Sequence, residues 1–139
     1  MAGCIVMCSL TLFHGKELSV FHVRAGGCDG CGEMVDIFLC ERFRATPRVV
    51  ECGTPRHADI LIVTGSWTGE LREAALTVIS QAPAARMLMV VGDCALGDGL
   101  IDGRTWDTDE MGDLKPDLEV RGCPVTLELL GKGVRDVTR

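Results

Sequence analysis

Two short segments constrain the fold of this chain more than anything else in it. Ile60–Thr64 (ILIVT) and Met87–Val91 (MLMVV) are apolar runs of strand length without the polar alternation of a half-exposed strand. Such runs are buried on both faces, as strands are in a parallel sheet covered by helices on either side. The remaining segments fit that frame. Leu18–Val23 (LSVFHV) is a β-rich run ending in the glycine loop Ala25-Gly26-Gly27. Glu33–Phe43 is predicted helical, with Met34, Ile37, Phe38 and Cys40 or Glu41 in succession at helical spacing, and Pro47 breaks it. Val49-Val50 adds a short strand, and Thr68–Gln81 is predicted helical with Leu71, Ala75, Val78 and Ile79 on one face. Leu118–Val120 predicts a further strand, and a helix is predicted from Val125 to about Val134. The Gly/Asp-rich stretch Gly97–Asp117 has little periodicity and is read as surface. Strands alternating with helices predict an α/β fold, an open parallel sheet with helices on both faces. The 139 residues suit one domain, assigned to residues 18–139, with residues 1–17 as a partly extended N-terminal segment.

In such a sheet, ligands sit beyond the carboxyl ends of the strands. Four of the eight cysteines fall there: Cys28 and Cys31 after the first run, Cys94 after Met87–Val91, and Cys123 after Leu118–Val120. Cys28-Asp-Gly-Cys31 alone is ambiguous. A structural zinc ion would want four tetrahedral ligands, usually as two local pairs, whereas Cys94 and Cys123 are singletons in separate loops. A thioredoxin-like redox pair at a helix N-terminus fits the strand–CDGC–helix order, but leaves Cys94 and Cys123 without a role. One [4Fe–4S] cluster uses all four, since four thiolates are its standard ligand set. Gly27, Gly30, Gly32, Gly92 and Gly122 beside the cysteines leave room for backbone N–H groups to approach the sulfurs. Asp29 and Asp93, each next to a cysteine, read either as groups that lower the potential or as solvated and turn-capping residues.

Other classes have little support. A formal charge of −6 with no Lys/Arg cluster excludes a phosphate-tracking surface, so no nucleic acid is expected. No apolar run approaches the roughly 20 residues needed to span a bilayer. The Cys4–Phe13 run has no basic leader, so a soluble chain in a reducing, cytoplasmic compartment is expected. Cys40 and Cys52 read as buried thiols, Cys4 and Cys8 as a poor metal pair, and His22 as a satisfied core or edge residue. His14 has no evident partner, and there is no P-loop, dinucleotide fingerprint or nucleophile elbow.

The segments VFHVRAGGCDGCGEM, TPRHADILIVTG, VVGDCA and RGCP, in that order, resemble the small subunit of [NiFe] hydrogenases and its relative, the cluster-bearing subunit of respiratory complex I. The likeness covers Val20 to Leu130. The spacing of Cys28 and Cys31 is similar to the hydrogenase branch, and the short chain resembles the membrane-bound, energy-converting type. That resemblance implies a flavodoxin-like fold whose Cys28, Cys31, Cys94 and Cys123 hold one proximal [4Fe–4S] cluster. It implies an electron-transfer subunit of an oxidoreductase complex, not an enzyme alone. Its partners would be a large [NiFe]-type catalytic subunit, a ferredoxin-like subunit and, through the complex, membrane subunits on whose cytoplasmic side it sits. Within the same lineage, a complex I-like quinone- or sulfur-linked enzyme without nickel is the alternative. Glu33 matches the acid of the hydrogenase C-x-x-C-x-E pattern and would relay protons, although an acid in a helix's first turn favours the macrodipole anyway. Arg56, His57 and Asp59 match a family segment and are expected at an interface or beside the cluster. Arg121 and Val125-Thr126-Leu127 depart from the family's proline-rich pattern around the fourth cysteine, while Glu128 keeps its acidic position.

Overall fold

Parallel strands need crossover connections, and the alternation of apolar runs with helical segments supplies them. The computed structural model describes residues 17–42, 48–67, 69–84, 86–99 and 115–137. The expectations for residues 1–16, including Cys4, Cys8 and His14, and for most of Gly97–Asp117 lie outside the described residues. Strands β1 (Leu18–Arg24), β2 (Val49–Glu51), β3 (Ile60–Thr64), β4 (Met87–Val91) and β5 (Leu118–Val120) form one sheet. Its order is β2-β1-β3-β4-β5, and every pairing is parallel. This is the flavodoxin-like strand order. The register runs from Val20↔Ile60 to Arg24↔Thr64 and from Ile60↔Met87 to Thr64↔Val91, so β1, β3 and β4 end level with one another.

Helices α1 (Gly30–Arg42), α2 (Gly69–Ser80), α3 (Asp93–Leu96) and α4 (Leu127–Val137) complete the described elements, with a 3-10 turn at Pro55–His57. On one face of the sheet, Val20, Ile60, Ile62 and Met89 pack with Val35, Phe38 and Leu39 of α1 and with Leu130 and Val134 of α4. On the other, Val23, Leu61, Val63 and Leu88 pack with Trp67 and with Ala75 and Ile79 of α2. All five β3 residues are buried, as its unbroken apolar run predicts. Each fully buried aliphatic side chain contributes about 1.5–3 kcal/mol relative to exposure.

Local departures from expectation have physical reasons. Helix α1 starts at Gly30 rather than Glu33, which places Cys31 within its first turn. Its buried face is Val35, Phe38 and Leu39, while Ile37 is 44% exposed. The segment carries more apolar residues than one face can bury, and contact with the sheet selects the i, i+3, i+4 set. Leu71, expected on the inner face of α2, is 48% exposed, and Ala75 and Ile79 carry that contact. Cys40, expected to be buried, is exposed, and Cys52 is half-buried with its thiol 3.2 Å from the Thr54 carbonyl. Cys94 lies in the short α3 rather than in a loop. Helix α4 approaches the sheet closely at Gly133. A Cβ there would come within 3.0–3.2 Å of Leu118, Met89 and Val120 side chains.

Candidate metal centre

The turn after β1 is built from residues that tolerate unusual backbone. Gly26 and Gly27 adopt φ of 93° and 99°, and Asp29 adopts φ of 63°. This turn lies directly against the turn after β3. Ala25 N–H donates to the Thr64 carbonyl at 2.7 Å, and Ser66 N–H donates to the Gly26 carbonyl at 3.1 Å. Gly65 permits that approach, since a Cβ on it would fall 2.2 Å from the Gly26 oxygen. The turns after β4 and β5 are joined in the same way. Gly92 N–H donates to Val120 O at 2.8 Å, Asp93 N–H donates to Gly122 O at 3.0 Å, and Gly122 N–H donates to Asp93 Oδ1 at 2.8 Å. Parallel pairing thus continues past the strands, through Asp93, to the residues that flank Cys94 and Cys123.

All four cysteines singled out in the sequence lie at this carboxyl edge. Cys31 is half-buried and Cys28 and Cys123 are exposed. A Cβ on Gly92 would fall 2.6 Å from Cys31 Sγ, so only glycine lets the β4 turn pass this sulfur. Cys31 Sγ also lies 3.9 Å from the Gly122 carbonyl. Burial pushes the Cys31 thiol up, a hydrogen bond from the Val125 backbone pulls it back, and Cys123, Cys94 and Cys28 add to the rise. Cys28 Sγ and Pro124 Cβ lie 3.7 and 3.9 Å from the position of a Cβ on Gly30, which brings the first and last cysteine segments side by side.

Among the described residues, no three or more His, Cys, Asp or Glu side chains close up as a site for a metal ion. The donor chemistry of the edge nonetheless suits an iron–sulfur cluster: four thiols, with the neighbouring carboxylates engaged elsewhere. Asp93 holds Gly122, and Asp29 pairs with Arg24. The Val125 backbone favours the Cys31 thiolate, as a donor to a ligating sulfur would.

A charged network stands beside the Cys28 turn, and it was not legible in the sequence. Arg24 pairs with both Asp29 and Asp36, and Glu33 lies 4.0 Å from it. The His22 side chain is 3% exposed, with Nδ1 3.3 Å from Asp36 Oδ1 and Nε2 2.9 Å from Thr64 Oγ1. Burial, assisted by the Arg24 charge, holds its pKa below the usual value against the opposing pull of Asp36. His22 is thus the satisfied buried residue expected, with partners only the fold reveals. Arg56, His57 and Asp59 precede β3, at the opposite end of the sheet from the four cysteines. Asp59 Oδ2 instead accepts Ser19 N–H at 2.9 Å and anchors the start of β1. Arg121 pairs on the surface with Asp98 and reaches Glu119 at 3.9 Å.

Comparison with known proteins adds a family context. The family model described as NADH ubiquinone oxidoreductase, 20 kDa subunit, matches residues 14–137. A probable membrane-bound hydrogenase subunit of Pyrococcus furiosus is 34% identical over 127 residues, covering 90% of this chain and 76% of that protein. Formate hydrogenlyase subunit 7 of Escherichia coli is 34% identical over 119 residues, covering 80% of this chain but only 44% of its own length. A chain of the membrane-bound sulfane sulfur reductase, an archaeal respiratory membrane complex, superposes with a TM-score of 0.63 at 20% identity. That match covers 88% of this chain and 68% of the other, and it speaks for the fold.

Proposed function

The chain belongs to the NADH ubiquinone oxidoreductase 20 kDa subunit family, the lineage its cysteine motifs resemble, and from that premise we propose that it is the electron-relay subunit of a hydrogenase-type membrane complex. Cys28, Cys31, Cys94 and Cys123 would hold one [4Fe–4S] cluster. The observation that supports this reading is that Cys28, Cys31, Cys94 and Cys123 all follow strands at the carboxyl edge of one parallel sheet, with the Cys94 and Cys123 turns hydrogen-bonded to each other. When bound, the cluster supplies single-electron transfer. The polypeptide supplies position and environment: Gly92 makes room for Cys31, and Asp93 fixes the Cys123 turn against the Cys94 turn.

The partners in this reading are a large catalytic subunit and a ferredoxin-like subunit, with membrane subunits reached through them on the cytoplasmic side. Among the described residues no helix is long and apolar enough to cross a membrane. The two-residue separation of Cys28 and Cys31 favours the hydrogenase-type branch over the complex I type. The large subunit distinguishes them, because two C-x-x-C pairs, one near each of its ends, would mark a nickel site. Glu33 has an exposed carboxylate near Arg24, which supports its service to the charged network and helix terminus more than a proton relay.

The test is reconstitution. Anaerobic protein supplied with iron and sulfide should show the absorbance of a [4Fe–4S] centre and, once reduced, its electron paramagnetic resonance. Cys94→Ser and Cys123→Ser should each abolish or alter that signal, whereas Cys52→Ser should leave it intact. An unchanged centre in both the Cys94 and Cys123 variants would sink the ligand assignment. Disulfide reductase activity without iron would favour a thioredoxin-like protein.

A further inference from the structure

Arg24 is the last residue of β1 and stands just ahead of the Cys28 turn, yet the ligand set gives it no part. Its guanidinium spends two nitrogens on two carboxylates. Nη1 pairs with Asp29, which lies between Cys28 and Cys31, and Nη2 pairs with Asp36, further along α1. Glu33 Oε1 stands 4.0 Å from Nη1. Asp36 is held a second time from β1, with its Oδ1 3.3 Å from His22 Nδ1. The helix side is spaced for this contact, since Asp29, Gly32 and Asp36 follow at the i, i+3, i+7 interval of one face. Gly32 clears the path. A Cβ on it would lie 2.0 Å from Asp29 Oδ1 and 3.3 Å from Arg24 Nη1, so a glycine is what lets the carboxylate cross the first turn to the arginine.

Asp29 needs such a hold. Its φ of 63° is a left-handed conformation, which costs an L-residue energy, and its carbonyl accepts the Glu33 N–H at 3.0 Å to open α1. The conformation of this one residue therefore sets how Cys28, in the turn, stands to Cys31, in the helix. Exposed ion pairs contribute little singly, but a planar fork shared between two carboxylates fixes a geometry. On the ligand set assigned above, we propose that Arg24 is a positioning residue for Cys28 and Cys31. By tying Asp29 to Asp36 it holds the two thiols in a fixed relation before iron arrives. A preset pair avoids the ordering cost that a loose turn meets on binding, so the gain is one of affinity. Arg24 acts through Asp29 and ligates nothing.

The test uses the full chain, titrated anaerobically with ferrous iron at excess sulfide and followed by cluster absorbance, beside denaturation of the iron-free chain. Arg24→Gln should raise the iron concentration that half-loads the chain about tenfold. The iron-free unfolding midpoint should stay near wild type, since the broken pairs are exposed. Arg24→Lys keeps the charge without the fork and should fall between the two. Arg24→Gln combined with Asp29→Asn should load no worse than Arg24→Gln alone, because the two residues act as one unit. Arg48→Gln, which breaks the pair with Glu17 ahead of β2, should load as wild type does. Should Arg24→Gln unfold before it can be loaded, the lysine chain and Asp29→Asn carry the comparison. Loading of the Arg24 variants equal to wild type, or losses that multiply in the double variant, would overturn the inference. A wild-type chain that takes up no cluster would instead overturn the functional reading on which this inference rests.

Discussion

Asp93 Oδ1 takes the Gly122 N–H at 2.8 Å and so joins the Cys94 turn to the Cys123 turn. Asp93→Ala leaves that amide without its acceptor and should lower stability by about 1–3 kcal/mol. Asp93→Asn keeps an oxygen in place and should lose less; chemical denaturation of the two variants measures the difference. His22 makes a different prediction. Its folded pKa lies below the ordinary imidazole value of 6.5, because burial opposes the charged ring. The unfolded chain therefore binds the proton more readily. The native state is unaffected by this group well above pH 6.5 and loses stability as pH falls below it. His22→Gln should flatten that part of the stability–pH profile, as read from denaturation midpoints between neutral and mildly acidic pH. The edge position of the four thiols was visible in the sequence because each follows a strand. The partners of Asp93 and His22 were not, since each is set by a turn or strand distant in the chain.

Among elements, β3 and β4 were legible to the residue, because an unbroken apolar run has only one way to be buried in a parallel sheet. Helix faces were less so. In α1, apolar residues at 34, 35, 37, 38 and 39 satisfy more than one face, and only packing against the sheet decides between them. Glycines carry information that periodicity does not. Gly92 combines φ 98° with a Cys31 sulfur 2.6 Å from any Cβ it might bear. Gly92→Ala should therefore displace Cys31 and sharply reduce cluster loading, measured as iron and sulfide bound per chain. Gly133 lets α4 close on β4 and β5, with neighbours that are ends of side chains rather than backbone. Gly133→Val overpacks that contact and should lower stability by about 1–3 kcal/mol, seen as an earlier unfolding midpoint.

For the molecule as a whole, the two cores divide the labour. The core on the α1 side supports the helix that carries Cys31, whereas the α2 side holds none of the four cysteines. Phe38→Ala, at about 3–5 kcal/mol, should impair both stability and the cluster signal. Ile79→Ala, at about 2–5 kcal/mol, should lower stability while leaving the spectrum of the loaded chain unchanged. The sheet order has one more outcome, which concerns time. Cys123 follows β5, the strand at the edge of the sheet, and in translation it emerges after the other three thiols. A nascent chain that has already produced Cys28, Cys31 and Cys94 still lacks the strand that brings in the fourth. On the proposed ligand set, the growing polypeptide leaves the ribosome as an incomplete chelator with open thiols. Cofactor delivery then has to wait for β5 to dock, and protection of those thiols from oxidation in the interval falls to the cell rather than to the fold.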